Sequence, residues 1–246
     1  MIAAPMGAPE SLLIDPFLRM ARGENALNEH NTELGEWDHA HGWGAVYEED
    51  GQLRVLRSTA ACWEDDRKLK RLRDRRVFLL HARRMSPQKK VELSQTHPFE
   101  QEVAGASWFF CHNGTVRGIA PPRESDSREV FRRLLPHIAD GRILEGTRTV
   151  YGGLDDFTGA NTFLLGPEAL WAVCLYSENR KYYTLTLAQT GVGPIVSSES
   201  LEELGSETTR LPNGTILRID RRTGRVERAT LNRDDKTQHH AALSLS

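Results

Sequence analysis

The chain has 246 residues, with 32 Lys and Arg against 34 Asp and Glu, a formal charge of −2. A balance so near zero argues against a dedicated nucleic-acid protein, whose footprint is strongly basic, and no stretch approaches the roughly 18 uninterrupted apolar residues of a membrane helix. Cys62, Cys111 and Cys174 are the only cysteines and none is in a CxxC pair, so neither a zinc site nor a disulfide framework is indicated; with no basic n-region at the N-terminus, the expected compartment is the cytoplasm.

In chain order, AAPMGAP reads as a short apolar strand, followed by a helix starting near Ser11, a plausible N-cap, with Pro16 awkwardly inside it. GWGAVYEEDGQLRVLRS has two alternating apolar runs about Asp50-Gly51, a strong hairpin signal. Seven basic residues fall between Arg67 and Arg76, with Leu69 and Leu72 three apart and Glu64, Asp65, Asp66 and Asp74 beside them. This predicts a solvated amphipathic helix rather than a polyanion site. VFLLHAR reads as a buried strand, and SWFFCHNG as another that ends at Asn113-Gly114. SDSREVFRRLLPHIADG is a helix capped by Ser125 or Ser127, with Val130, Leu134, Leu135 and Ile138 on one face and Gly141 as its stop. Further strands are expected over 161–165, 170–176, 182–188 and 194–197, then a hairpin turning near Thr223-Gly224, and a frayed polar tail over 232–246. Strands at both ends with helices between them predict an α+β fold with helices stacked on antiparallel sheets.

Four clusters are too polar for their apolar surroundings: His39-Ala40-His41-Gly42-Trp43-Gly44, His81-Ala82-Arg83-Arg84-Met85-Ser86, Thr96-His97-Pro98-Phe99 and Cys111-His112-Asn113-Gly114. An arginine at the end of a buried strand is costly unless it meets an anion. Asn-Gly can aim a side-chain amide and a backbone N–H at one point, as an oxyanion hole requires, but it is first of all a turn dipeptide. His39 and His41 could chelate a metal, but an i,i+2 histidine pair is weak evidence for a metal site. Cys111, in an apolar run, reads as an inert core thiol.

In order and spacing, these clusters resemble the class II glutamine amidotransferases, which are N-terminal-nucleophile hydrolases, and in particular the stand-alone form that carries only the glutaminase domain. The resemblance runs from Met1 to about Leu231 and is carried by HGWGAVYEEDG, LLHARRMS, THPFE, WFFCHNGTV, the Asp126 helix and PIVSSESL. It implies a four-layer αββα sandwich and one domain over 1–231. It implies a cysteine at the N-terminus attacking the glutamine side-chain amide, with its own α-amine as base, and hydrolysis of the resulting thioester without metal or cofactor. Carried over by residue, Arg83 would hold the α-carboxylate, Asp126 the α-ammonium, and Asn113 and Gly114 the oxyanion. Ser86 and His97 would line the substrate pocket, Gly42, Trp43 and Gly44 would shape its floor, and Ser198 and Glu199 match a late motif of structural character.

One departure matters. Residue 1 is Met and residue 2 is Ile, neither a nucleophile, and the three cysteines lie far downstream. The expectation is that the nucleophilic cysteine precedes Met1 in the natural protein. The alternative is a catalytically inactive module that keeps the pocket and binds an amino acid or a partner. The enzyme reading expects glutamine or a larger γ-glutamyl amide as substrate, ammonia as product, an ammonia-accepting partner protein, and no nucleic acid or membrane.

Overall fold

The computed structural model describes residues 1–24, 38–85, 91–121, 124–201 and 207–231. The expected tail 232–246 and Ser86 lie outside the described residues. The elements run β1 (Ile2–Pro9), α1 (Glu10–Arg22), β2 (Trp43–Glu49), β3 (Gln52–Ser58), α2 (Asp66–Leu69), β4 (Arg76–Ala82), β5 (Phe99–Val103), β6 (Ala106–Val116), α3 (Asp126–Ala139), α4 (Ile143–Gly152), β7 (Phe157–Leu165), β8 (Ala169–Cys174), α5 (Arg180–Tyr183), β9 (Thr186–Thr190), β10 (Gly193–Ser197), β11 (Glu207–Arg210), β12 (Thr215–Asp220) and β13 (Val226–Thr230).

The strands form two antiparallel sheets, one of seven strands in the order β11-β9-β10-β1-β4-β2-β3 and one of six in the order β13-β12-β8-β7-β6-β5. The core has three layers. α1 packs Leu13, Phe17 and Met20 on the outer face of the seven-stranded sheet. The sheets meet through residues such as Ala3, Leu79, Phe109, Phe163 and Leu217. α3 and α4 pack Val130, Leu134 and Tyr151 on the outer face of the six-stranded sheet. The fold is therefore α+β in four layers, α, β, β, α. Strands buried on both faces read as continuous apolar runs. In β6, Phe109 and Cys111 face the other sheet while Trp108 and Phe110 face the helices, which is the period of two expected of a strand.

Several local expectations change. α1 starts at Glu10 after Pro9, and Ser11 does not cap it; Pro16 lies inside the helix and is buried. The basic run makes only one α-turn, α2, and a 3-10 turn over Lys70–Leu72. It stops because Asp74 adopts φ 60 to reverse the chain into β4. The predicted strand 182–188 begins as the helical turn α5, and pairing starts only at Thr186. α4 was not foreseen. Its sequence, ILEGTRTVYG, carries glycine and β-branched residues of low helix propensity, and packing decides it: a Cβ at Gly146 would run into the His137 side chain of α3. The Asp50-Gly51 hairpin forms as expected, with φ 52 and 72, the positive pair that a tight β-hairpin favours.

Candidate active site

Asn113-Gly114 is not the end of its strand. β6 continues to Val116, pairing Asn113 with Asn161 and Gly114 with Ala160 before its register shifts. The irregularity comes from Gly114 at φ 128, pressed so closely on Gly159 that a Cβ would strike the Gly159 carbonyl. Only glycine combines that φ with that approach, and the bulge re-aims the backbone beside Asn113.

β4 lies between β1 and β2 in the other sheet and delivers Arg83 just past its end. The Arg83 amide donates to the Gly42 carbonyl at 2.8 Å, and the His41 amide donates to the Arg83 carbonyl at 2.9 Å. Asp126 is the first residue of α3, behind Ser125, whose side chain accepts from the Arg128 amide; this is a helix position that favours a carboxylate. Its Oδ2 accepts from the Val116 amide at 2.8 Å, which ties α3 to the bulged strand.

Arg83, Asn113, Gly114 and Asp126 line one cavity of about 90 Å³ with His81, His97 and His112. Burial lowers the basicity of the Arg83 guanidinium, while Asp126 and Glu92 oppose the shift. Its Nη1 is buried without a hydrogen-bond partner among the described residues, the state of a donor awaiting an anion.

The three histidines form a buried cluster. His81 and His97 have ring centroids 4.5 Å apart, and His97 lies 4.4 Å from Phe99. His81 Nε2 donates to the His112 carbonyl at 3.2 Å, and His112 Nδ1 shares a 2.8 Å hydrogen bond with Ser127 Oγ. Burial holds His81 and His97 well below the ordinary histidine range and lowers His112, which Asp126 partly offsets. Both ring nitrogens of His97 lack partners among the described residues.

Gly42, at φ 105, and Gly44 sit where a side chain would collide: a Cβ at Gly42 would lie 2.7 Å from the Ser58 carbonyl, and one at Gly44 would strike the His97 carbonyl. They let the Thr96–Pro98 loop close on β2. Trp43 points the other way, beneath α1 beside Phe17, with its Nε1 donating to Asp65 at 3.3 Å. It therefore supports the sheet and does not line the cavity.

A second, smaller cavity is lined by Met1, Met20, His39, Asn113, Ser198 and Glu199 among others. β1 brings the α-amine of Met1 there, where it donates to Ser198 Oγ at 2.9 Å, while the Ser198 amide donates to the Met1 carbonyl at 2.9 Å. Burial draws this amine down to about 6, against the pull of Glu199 and Cys111. Cys111 itself is buried between the sheets with its thiol pushed up by desolvation; none of the three cysteines lines either cavity. Ser198 thus touches the amine, a closer contact than its late motif implied. Tyr182, which also lines this cavity, carried no signal in the sequence, because only the fold brings residue 182 against residue 39.

Among the described residues, no group of three or more His, Cys, Asp or Glu side chains is arranged to hold a metal ion. No helix among them is long and apolar enough to cross a membrane.

Residues 26–142 match the family model of the class-II glutamine amidotransferases. An uncharacterized Methanocaldococcus jannaschii protein, MJ1515, is 29% identical over 141 residues, covering 52% of this chain and 38% of the relative. A putative glutamine amidotransferase of Haemophilus influenzae is 25% identical over 162 residues, covering 58% of this chain and 54% of the relative. The matches thus span about half or less of these two relatives. Among solved structures, the glutamine phosphoribosylpyrophosphate amidotransferase from B. subtilis superposes with a TM-score of 0.64 at 12% identity, covering 95% of this chain and 49% of that one. At that identity the likeness concerns the fold.

Proposed function

We propose that this chain, whose residues 26–142 match the class-II glutamine amidotransferase model, is a member of that family and hydrolyses the side-chain amide of glutamine through a thioester on a cysteine preceding Met1. The observation that supports this reading is one cavity holding Arg83, Asp126, Asn113 and Gly114, which shares Asn113 as a wall with the cavity at the Met1 amine. A residue bonded ahead of Met1 would start from that amine and enter the smaller cavity.

Arg83 pairs with the substrate α-carboxylate as a guanidinium fork does, and Asp126 takes the α-ammonium. The thiol attacks the amide carbon, and its proton passes by way of the cysteine's own α-amine to the leaving nitrogen. The Asn113 side-chain amide and the Gly114 N–H stabilise the oxyanion of the tetrahedral intermediate. Ammonia departs, and water then cleaves the thioester to give glutamate and restore the thiol. Burial lowers the basicity of the Met1 amine, and a buried α-amine one residue ahead of it would be favoured in the neutral form that a base needs. Ammonia would be released or taken up by a partner protein. His97 completes the pocket wall.

A second reading is favoured by one observation. Met1 lines the smaller cavity beside Asn113, and a methionine side chain cannot attack a carbonyl. The pocket would then bind an amino acid without turnover. Two proteins decide between the readings, the chain beginning at Met1 and the chain with one cysteine added ahead of it. Each is titrated with glutamine calorimetrically and assayed for ammonia and glutamate. Turnover only with the added cysteine, abolished when that cysteine is replaced by alanine, supports the enzyme. Saturable binding without turnover in both supports the binding module, and no binding in either removes both readings.

A further inference from the structure

The bulged pair Asn113-Gly114 is fastened at both margins to the start of α3. On one side His112 Nδ1 shares a 2.8 Å hydrogen bond with Ser127 Oγ. On the other, the Val116 amide donates to Asp126 Oδ2 at 2.8 Å. Asp126 and Ser127 are the first two residues of α3, so one end of one helix holds the segment before and after the bulge. From the other sheet, His81 Nε2 donates to the His112 carbonyl at 3.2 Å, and His81 lies on β4, which delivers Arg83. His112 is thus the residue at which β4, β6 and α3 meet.

The alternation of β6 passes this hold on to Asn113. Phe110 faces the helices and Cys111 the other sheet. By the same period of two, His112 faces α3, where Ser127 meets it, and Asn113 faces the cavity at the Met1 amine, which it lines. The Asn113 carboxamide makes no hydrogen bond of its own among the described residues, so its direction follows from its backbone. The His112 ring has Ser127 to orient it, because its Nε2 is buried without a hydrogen-bond partner among the described residues. Ser127 is buried as well. Removing its hydroxyl would leave both nitrogens of a buried imidazole unsatisfied, a cost that the ring relieves by turning and taking its strand with it.

We infer that Ser127 is a positioning residue for the proposed reaction: it holds the His112 ring and, through it, the aim of the Asn113 carboxamide at the oxyanion. The inference rests on the functional reading above and adds to it what supports the oxyanion hole.

The test is a double-mutant cycle in the full chain carrying one cysteine ahead of Met1, with ammonia release and calorimetric binding of L-glutamine as readouts. Ser127→Ala should lower kcat by about tenfold to a hundredfold, the cost of a misaimed catalytic group. Glutamine affinity should change by less than about twofold, because Asp126 keeps its own bond to Val116. Ser127→Thr, which keeps the hydroxyl, should retain most of kcat. In an Asn113→Ala background, Ser127→Ala should cost little more, because residues that act through one another are not additive. If the alanine variant does not fold, Ser127→Val against Ser127→Thr decides, since the two share a shape and differ in the hydroxyl. Equal losses in both backgrounds, or a loss of affinity as large as that of kcat, would make Ser127 a mere support of α3 and overturn the inference. A Ser127→Ala kcat equal to the parent's would overturn it too, while leaving the reading of Arg83, Asp126 and Asn113 intact. No turnover by the parent would overturn the functional reading, and the inference with it.

Discussion

Arg83 and Asn113 separate binding from chemistry, because one meets the charged head of the proposed substrate and the other its reacting carbonyl. Arg83→Ala should weaken glutamine binding by about 2 kcal/mol, roughly thirtyfold, through loss of a charge-assisted anchor; unchanged calorimetric affinity would refute the anchor. Asn113→Ala, in the form carrying the added cysteine, should lower kcat by about 10²–10³-fold with little change in binding. A kcat equal to the parent's would remove Asn113 from the oxyanion hole. The buried histidines make a prediction about pH. His81, His97 and His112 are 3%, 4% and 3% exposed, and burial lowers the basicity of each. They stay neutral in the folded protein, whereas in the unfolded chain they take up protons below pH about 6.5. Their contribution is therefore fully present above that pH and is lost as pH falls, by up to about 1.4 kcal/mol per pH unit for each histidine. Melting temperatures should drop steeply between about pH 6.5 and 5. His97→Phe suits the stack against Phe99 and should reduce that dependence by roughly a third; an identical pH profile in the variant would contradict the account.

Among elements, β6 shows how a strand can host chemistry. Asn-Gly read locally is a turn, and the residues around it did announce an apolar strand ending near position 113. The strand instead continues to Val116, because Gly114 accommodates the register shift while Gly159 on β7 offers no side chain to obstruct it. Two separated glycines make one feature, and local sequence could not pair them. Gly114→Ala should therefore do more harm than an ordinary strand substitution: the φ of 128 and the collision with Gly159 together should cost about 3 kcal/mol or more, read as a lower denaturation midpoint and loss of glutamine binding. A variant as stable as the parent would mean that the bulge is dispensable. α4 teaches the same lesson for helices, since its propensity is poor and its contact with α3 is what holds it.

For the whole molecule, the question is how the two sheets keep the halves of the site together. Arg83 and the Met1 amine belong to the seven-stranded sheet, whereas Asn113 and Gly114 belong to the six-stranded one. Away from the site, Arg221 follows β12 and donates to the Pro5 carbonyl of β1 at 3.1 Å and to the Gly166 and Pro167 carbonyls at 2.9 and 3.1 Å, with its guanidinium 5.0 Å from the Phe78 ring centroid. It thus links the two sheets at their rim. Arg221→Met should lower stability by about 2–4 kcal/mol, shifting the denaturant midpoint at constant slope. An unchanged midpoint would show that the interlayer apolar core alone holds the sheets in register.

Local chemistry settled much in advance. Apolar runs such as VFLL and WFFC read as buried strands, Asp50-Gly51 as a hairpin turn, and Ser125 or Ser127 ahead of an amphipathic run as the start of a helix. The order of the short polar clusters carried the resemblance to the class II glutamine amidotransferases, and Arg83, Asp126, Asn113 and Gly114, which that resemblance singled out, line one cavity. What the tertiary structure decided depends on contacts between distant positions: the continuation of β6 past Gly114, the existence of α4, the turn of Trp43 away from the cavity, and the meeting of Tyr182 with His39. Periodicity and turn chemistry act within a few residues and so are legible in the chain. Cavity walls are assembled from sheet layers and loops far apart in sequence, and close packing between them fixes which side chains meet.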